Sequence, residues 1–314
     1  MPTNVNMTTS SGLAAGANLT VYNRNLLKTF EPVLAHLRFG DEHPFPHNEG
    51  TKMSFRKLLP LEADTTTLAE GEPGDAQMIA EVEVTAEIGQ YGKYILTTDK
   101  LDMTHFDLNL DRKVTLLGNQ GRLSIDTVVR DELATCTNVI YAGNKTSRSA
   151  LTATDICTAR DIRKAVRTLK NSMAMPFEDG YFVALVNPNV TFDLQDDEDW
   201  KKVSQNQDKV NIYSGEVAKL FGCRFVETTN AKIFEGAGDG GADVASIIIL
   251  GRYAFGYSSL TGANPRVIVK PHGSGGAVAD PLDQISSVGW KMDGFAVKLL
   301  QPEFAVRIEC GMSA

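Results

Sequence analysis

Thr104-His-Phe-Asp-Leu-Asn-Leu110-Asp-Arg-Lys-Val-Thr-Leu-Leu-Gly-Asn-Gln120-Gly-Arg-Leu-Ser-Ile-Asp-Thr-Val-Val-Arg130-Asp-Glu-Leu-Ala134 reads as one long amphipathic helix. Phe106, Leu110, Val114, Leu117, Ile125, Val128 and Leu133 recur at three- and four-residue steps, and Gly121 fills the one missing turn. Such spacing lays one apolar stripe along a rod of roughly 30 residues, about 45 Å at 1.5 Å per residue. The other face is expected to carry Asp111, Arg112, Lys113, Asn119, Arg122, Asp126, Arg130 and Asp131. The rod exceeds the ordinary helix of about 11–12 residues and carries no catalytic motif, so it reads as a structural spine.

Upstream, Lys52–Leu59 and Ile79–Ile88 read as strands. In the second, Val82, Val84, Ala86 and Ile88 alternate with Glu81, Glu83, Thr85 and Glu87. Pro60–Gln77 between them is polar and without period, so the pair forms an extended arm with a long tip and no core of its own. Downstream, Thr158–Lys170 is a second helix, with Thr158 and Asp161 approximating a capping box and Ile162, Ala165, Val166 and Leu169 facing inward. Tyr181–Val186, ended by Asn187-Pro188, is a buried strand. Gly215–Phe221 reads as a short helix closed by Gly222, followed by a strand at Arg224–Glu227. Ile247–Tyr253, Arg266–Lys270, Phe295–Leu300 and Phe304–Glu309 are further strands. Helices and strands mix without regular βαβ alternation, which points to the α+β class.

Ordered strings along the chain carry a resemblance. They are Tyr22-Asn-Arg-Asn-Leu-Leu, Leu68-Ala-Glu-Gly-Glu-Pro-Gly, Gln90-Tyr-Gly-Lys-Tyr, Leu116-Leu-Gly-Asn-Gln-Gly, Asn138-Val-Ile-Tyr-Ala-Gly, Tyr181-Phe-Val-Ala-Leu-Val-Asn-Pro and Ser214-Gly-Glu-Val-Ala-Lys-Leu-Phe-Gly. From about Val21 onward the chain resembles the tailed-phage major capsid proteins named after that of coliphage N-four. That resemblance implies the Johnson (Hong Kong-type) capsid fold. It divides the chain into an N-terminal arm (1–49), an E-loop hairpin (50–98), a peripheral domain with the spine helix (99–150), an axial domain (151–262) and return strands of the peripheral domain (263–314). It further implies pentamers and hexamers closing an icosahedral shell around double-stranded DNA, assembled in the bacterial cytoplasm. Portal and scaffolding proteins would be partners, with room for a decoration protein.

Composition agrees with this expectation. The 314 residues can bury a substantial core, no apolar run is long enough to span a membrane, and no signal peptide is evident. Cys136, Cys157, Cys223 and Cys310 lie far apart without a Cys-x-x-Cys pair, so buried reduced thiols are expected rather than a disulfide framework or a zinc site. The first 20 residues are small, polar and uncharged, and are expected to be held by a neighbouring subunit. A net charge of −8 argues against a broad DNA-gripping face, as suits a container that releases its genome.

Leu58–Gly92 holds eight acids, Glu62, Asp64, Glu70, Glu72, Asp75, Glu81, Glu83 and Glu87, and no Lys or Arg. This predicts docking of the arm on a basic surface of a neighbour. The candidates are Arg112, Lys113, Arg122 and Arg130 on the spine, or Arg160, Arg163, Lys164, Arg167 and Lys170 on the second helix, a stripe that could instead face packaged DNA. Gly118 and Gly121 inside the long helix are candidate hinge positions, or sites of close packing, which suits Gly121 best.

Sharper motifs reduce to plainer readings. Gly236-Ala-Gly-Asp-Gly-Gly241 has Gly-x-Gly-x-x-Gly spacing and supports the alternative of a cytoplasmic nucleotide-binding enzyme. Yet Asp239 sits inside the loop and no amphipathic helix follows. His272-Gly-Ser274-Gly-Gly is no nucleophile elbow. His43 and His47 flank Pro44-Phe45-Pro46, which denies them a helical frame for metal. Asp196-Asp197-Glu198-Asp199 reads as a solvated charge run. No nucleophile, base and orienting acid assemble, and no catalytic, cofactor or metal residue is assigned.

Overall fold

One long helix lies between two sheets. The computed structural model describes residues 34–45, 50–67, 70–71, 76–104, 110–198, 200, 216–259, 266–274 and 282–312. The expected N-terminal tail, His47, Glu72, Asp75, Phe106 and Asp199 lie outside them. In chain order the elements are β1 (Asp41–Glu42), β2 (Lys52–Leu58), β3 (Glu81–Glu87), β4 (Gly89–Thr98), α1 (Asp99–Thr104), α2 (Leu110–Leu133), β5 (Val139–Tyr141), α3 (Ala159–Asn171), β6 (Phe182–Val186) and α4 (Pro188–Asp196). They continue with β7 (Glu216–Leu220), β8 (Cys223–Glu227), β9 (Ile233–Phe234), β10 (Val244–Leu250), β11 (Phe255–Ser259), β12 (Arg266–Lys270), β13 (Ile285–Leu299) and β14 (Ala305–Gly311).

The described part of the long helix is α2, 24 residues over Leu110–Leu133; α1 covers Asp99–Thr104, and residues 105–109 of the expected span lie outside the described residues. Leu117, Gly121, Val129 and Leu133 form its most buried line. Two residues expected on the polar face are buried instead. Lys113 is 5% exposed and pairs with Asp102 of α1 at 2.8 Å. Asp126, 1% exposed, accepts from the His36 backbone N–H at 2.9 Å, with His36 Nδ1 and Asn230 Nδ2 each 2.8 Å from its Oδ2. A polar group survives at a buried helical position when its partners arrive from other segments, and periodicity cannot foresee that.

The seven-stranded sheet runs β5-β14-β10-β6-β8-β7, with β9 also on β10. Its central strands alternate between two cores. Phe182, Ala184, Val186, Ile247, Ile249, Val306 and Ile308 pack with α3, while Val183, Leu185, Ile248 and Leu250 pack with α2 and the other sheet. α3 follows its expected outline: the Thr158–Asp161 capping box is present, and Ile162, Ala165, Val166 and Leu169 are buried. The five-stranded sheet orders β1-β11-β13-β12, with β4 also pairing β13. Trp290 of β13 lies over Gly121, so a strand residue does pass where a Cβ would crowd. β2 and β3 pair antiparallel from Lys52↔Glu87 to Leu58↔Glu81, as the arm requires.

Three other readings change. Residues 216–220 are strand β7, not a helix. Phe221 and Gly222 both have positive φ (53° and 84°), the signature of a two-residue hairpin loop, so Gly222 turns the chain into β8 instead of capping a helix. Asn187-Pro188 ends β6 but also starts α4: the Asn187 side chain accepts from the Asn189 N–H, and Pro188 takes the first helical turn. The acidic run belongs in part to packing, because Asp197 accepts the Ala159 N–H at 2.9 Å, at the start of α3. Within residues 263–314, β12 and β13 lie in the five-stranded sheet and β14 lies between β5 and β10.

Candidate assembly surfaces

The β2–β3 hairpin projects because only its inner face meets the body. Ala86 is buried, and Lys57 reaches Glu303 at 3.0 Å. Two of its three strand acids are answered locally. Glu87 pairs with Lys52 at 2.7 Å, which holds the Glu87 carboxyl below its ordinary range. Glu83 accepts from Ser54 and lies opposite Arg56. Among the described residues, the remaining negative charge lies toward the tip, where Glu62, Asp64, Glu70 and Glu81 are exposed. Asp64 accepts the Thr66 N–H and hydroxyl, which lowers its carboxyl and folds the tip locally. The hairpin also bares an apolar flank absent from the sequence reading: Leu58, Leu61, Met78 (90% exposed) and Ile79 (71%). Grouped exposed side chains of this kind mark a surface meant to be covered.

The expected basic receivers fare unequally. On α2, Lys113 is buried against Asp102, and Arg130 is engaged with Asp131 and Asn230. Arg112 is half-buried and Arg122 exposed, each already holding a partner. On α3, Arg160, Arg163, Arg167 and Lys170 are exposed on one side, while Lys164 is held by Asp161 and Asn144. The α3 stripe forms a broad cationic face, whereas of the α2 set Lys113 is buried and Arg122 alone is exposed. Of the glycines, Gly118 faces open space and Gly121 faces the Trp290 ring.

A third surface lies on the five-stranded sheet. β4 and β12 flank β13, and their outward side chains wall a groove of about 470 Å³ lined by Tyr94, Leu96, Ile268, Lys270 and Lys291 over Gly289. Gly289 is fixed there by contact, since a Cβ would stand 2.8 Å from that of Tyr94. Sequence reasoning missed the groove because β4 was not read as a strand; the alternating Tyr91, Lys93, Ile95 and Thr97 were its available signal.

The Gly236–Gly241 loop offers no phosphate cradle. Its Gly236 N–H donates to the Asp243 carboxylate, Gly238 to Ala242 O and Asp239 to Leu151 O, and strand β10 follows where a dinucleotide site needs a helix N-terminus. His272 Nε2 lies 3.1 Å from Asp102, and the Ser274 hydroxyl donates to Pro271 O. No group of His, Cys, Asp and Glu among the described residues could hold a metal ion.

Residues 81–308 match the sequence model of the family described as phage capsid protein. The chain belongs to that family. Solved structures agree on the fold of this capsid protein. The Cyanophage Pam1 capsid asymmetric unit matches at TM-score 0.72 and 13% identity, covering 96% of this chain and 98% of that one. The acidic stable capsid structure of Helicobacter pylori bacteriophage KHP30 matches at 0.72 and 11%, covering 99% of each. The capsid of Ralstonia phage GP4 matches at 0.70 and 14%, covering 98% and 99%. Comparison with curated proteins gives no match. The capsid protein has the Johnson (Hong Kong-type) fold, and its role is that of a major capsid protein of a phage shell.

Proposed function

We propose that the protein assembles as pentamers and hexamers into the icosahedral head of a tailed phage of the N-four type, enclosing double-stranded DNA without reading its sequence. Assembly in the host cytoplasm, with portal and scaffolding proteins and room for a decoration protein, belongs to the same reading. The hairpin serves as the E-loop, α2 as the spine beside the five-stranded sheet in the peripheral domain, and the seven-stranded sheet with α3 as the axial domain. Residues before 50 serve as the N-terminal arm.

The observation that carries the assembly mechanism is the hairpin. Among the described residues it holds tip acids that no local base answers and an exposed apolar flank, and both call for a covering surface. The exposed cationic α3 stripe and the lysine-edged groove on the five-stranded sheet have the complementary character. Single exposed ion pairs contribute only about 0.2–1 kcal/mol and weaken with salt, so closure relies on repeating each contact around the shell. Electron microscopy of the purified protein is the direct test, with shells, rings or tubes expected. Deleting residues 64–76 should leave a folded subunit that forms no closed shells, and normal particles from that deletion would refute the hairpin's role.

A further inference from the structure

From Arg160 to Lys170, every exposed residue of α3 is a cation. Arg160, Arg163, Arg167 and Lys170 point outward, while Ile162, Ala165, Val166 and Leu169 are buried in the core beneath the seven-stranded sheet. Steps of three and four residues keep the four cations on one side of the helix, and ten residues at 1.5 Å each spread them over about 15 Å. Arg163 lies over the Phe221 ring, 5.3 Å from its centroid, which holds it beside the turn between β7 and β8. The one acid of the helix, Asp161, is buried, and accepts from the Thr158 hydroxyl at 2.7 Å and from Lys164 at 2.9 Å. Asp197, at the end of α4, accepts the Ala159 N–H, at the far end of α3 from Lys170.

The hairpin asks for a different surface. It bares Met78 and Ile79 beside its acids, so its receiver must offer apolar area as well as cations. The groove on the five-stranded sheet offers both, with Tyr94 and Leu96 exposed and Lys270 and Lys291 at its edges. The α3 stripe offers charge alone, and mostly as guanidinium, whose planar fork matches phosphate oxygens. Its length of about 15 Å faces roughly four phosphates of one duplex strand at about 3.4 Å each. On the reading of the protein as the wall of a DNA-filled head, we propose that the α3 stripe is its contact with the packaged duplex. The stripe binds the phosphate backbone without regard to sequence, and the α3 side of the seven-stranded sheet is then the inner wall. With a net charge of −8 the chain as a whole repels DNA, so the contact stays local and weak, as a genome that must leave requires.

The test mixes the full-length subunit with a labelled DNA duplex of about 30 base pairs and follows binding by anisotropy as salt rises from about 20 to about 150 mM. Each phosphate contact steepens the plot of log affinity against log salt by about 0.9, so the stripe predicts a slope of about −3. The triple variant Arg160→Gln, Arg167→Gln, Lys170→Gln should flatten the slope to about −1 and lower low-salt affinity by on the order of tenfold or more. Its substituted side chains are exposed, so its melting temperature should match that of the wild type. Two duplexes of unrelated sequence should bind alike, and Lys270→Gln with Lys291→Gln in the groove should leave the slope unchanged. No binding by the wild type, a wild-type slope in the triple variant, or an equal loss in the groove variant would overturn the proposal. If the triple variant keeps its DNA affinity and instead closes no shells, the stripe receives the hairpin of a neighbour. Shells are imaged separately: a wild type that forms none counts against the assembly reading, whereas the duplex titration is read on subunits.

Discussion

Trp290 closes over Gly121: a Cβ built on that glycine would stand 3.1 Å from the indole ring, and the ring N–H is tied to Gln120 Oε1 at 2.6 Å. The ring has little freedom to retreat, so Gly121→Ala must displace it or bend α2. Ala gains about 1 kcal/mol over Gly in a helix interior, and the displacement should exceed that gain. The expected net loss is about 1 kcal/mol in urea unfolding, and a more stable variant would show that the ring yields.

Gly118 is the internal control, one turn away on the same helix. Among the described residues nothing lies within 4 Å of a Cβ there, so Gly118→Ala should stabilise the subunit by up to about 1 kcal/mol. Under the hinge proposal the same change impairs assembly or head expansion. Heads that assemble, expand and fill normally would make this glycine incidental.

Asp126 predicts an acid-sensitive core. Burial pushes its carboxyl upward, but hydrogen bonds from His36 and Asn230 outweigh that and leave it below its ordinary value. A lowered carboxyl contributes stability that is fully present above the ordinary value of about 4 and is lost as pH falls through the lower folded value. Asp126→Asn should cost about 1–3 kcal/mol at neutral pH, because an amide N–H then faces donors. Melting curves from pH 7 to 2 should show the gap between wild type and variant closing at the acid end. A constant gap would remove Asp126 as its source.

Glu309, fully buried, is held by Arg148 through two 2.7 Å hydrogen bonds. Arg307 Nε also lies 2.8 Å away but is not aligned to donate. Arg148→Ala should therefore cost about 3 kcal/mol, the low end for breaking a buried pair, because Arg307 still offsets part of the charge. Adding Glu309→Gln should recover part of the loss, and a double-mutant cycle with no coupling would contradict this assignment.

Met78 tests the hairpin flank without touching its charge pattern. Met78→Gln should leave subunit stability within about 0.5 kcal/mol, as expected for a surface change, while lowering the yield of closed shells. Unchanged yield would mean that the flank stays uncovered in the particle.

The parts of this fold legible from sequence are those whose side chains repeat against one surface. α3 carries its capping box and its four inward apolar residues in the text of the chain, and the hairpin strands carry their alternation. β13 was legible only over its end, because Gly289, Lys291 and Asp293 interrupt the apolar pattern where β4 and β12 close in on both sides. Residues 216–220 misled for another reason: their pattern suits either period, and the turn geometry at Phe221-Gly222 decides. Among the assembly surfaces, the acidic tip and the α3 stripe could be read as charge. Lys113 and Arg130 could not be discounted, since Asp102 and Asn230, which engage them, come from other elements. The groove required knowing that three strands meet.

β14 takes its place between β5 and β10 although it is made after every other strand of that sheet. A nascent chain that has not reached residue 311 leaves one side of β10 bare and the Val306 and Ile308 sites of the α3 core empty. The subunit's largest sheet therefore cannot close during most of its synthesis, and truncated products lack a finished body to offer their neighbours. A chain that stops before β14 thus carries this sheet unfinished.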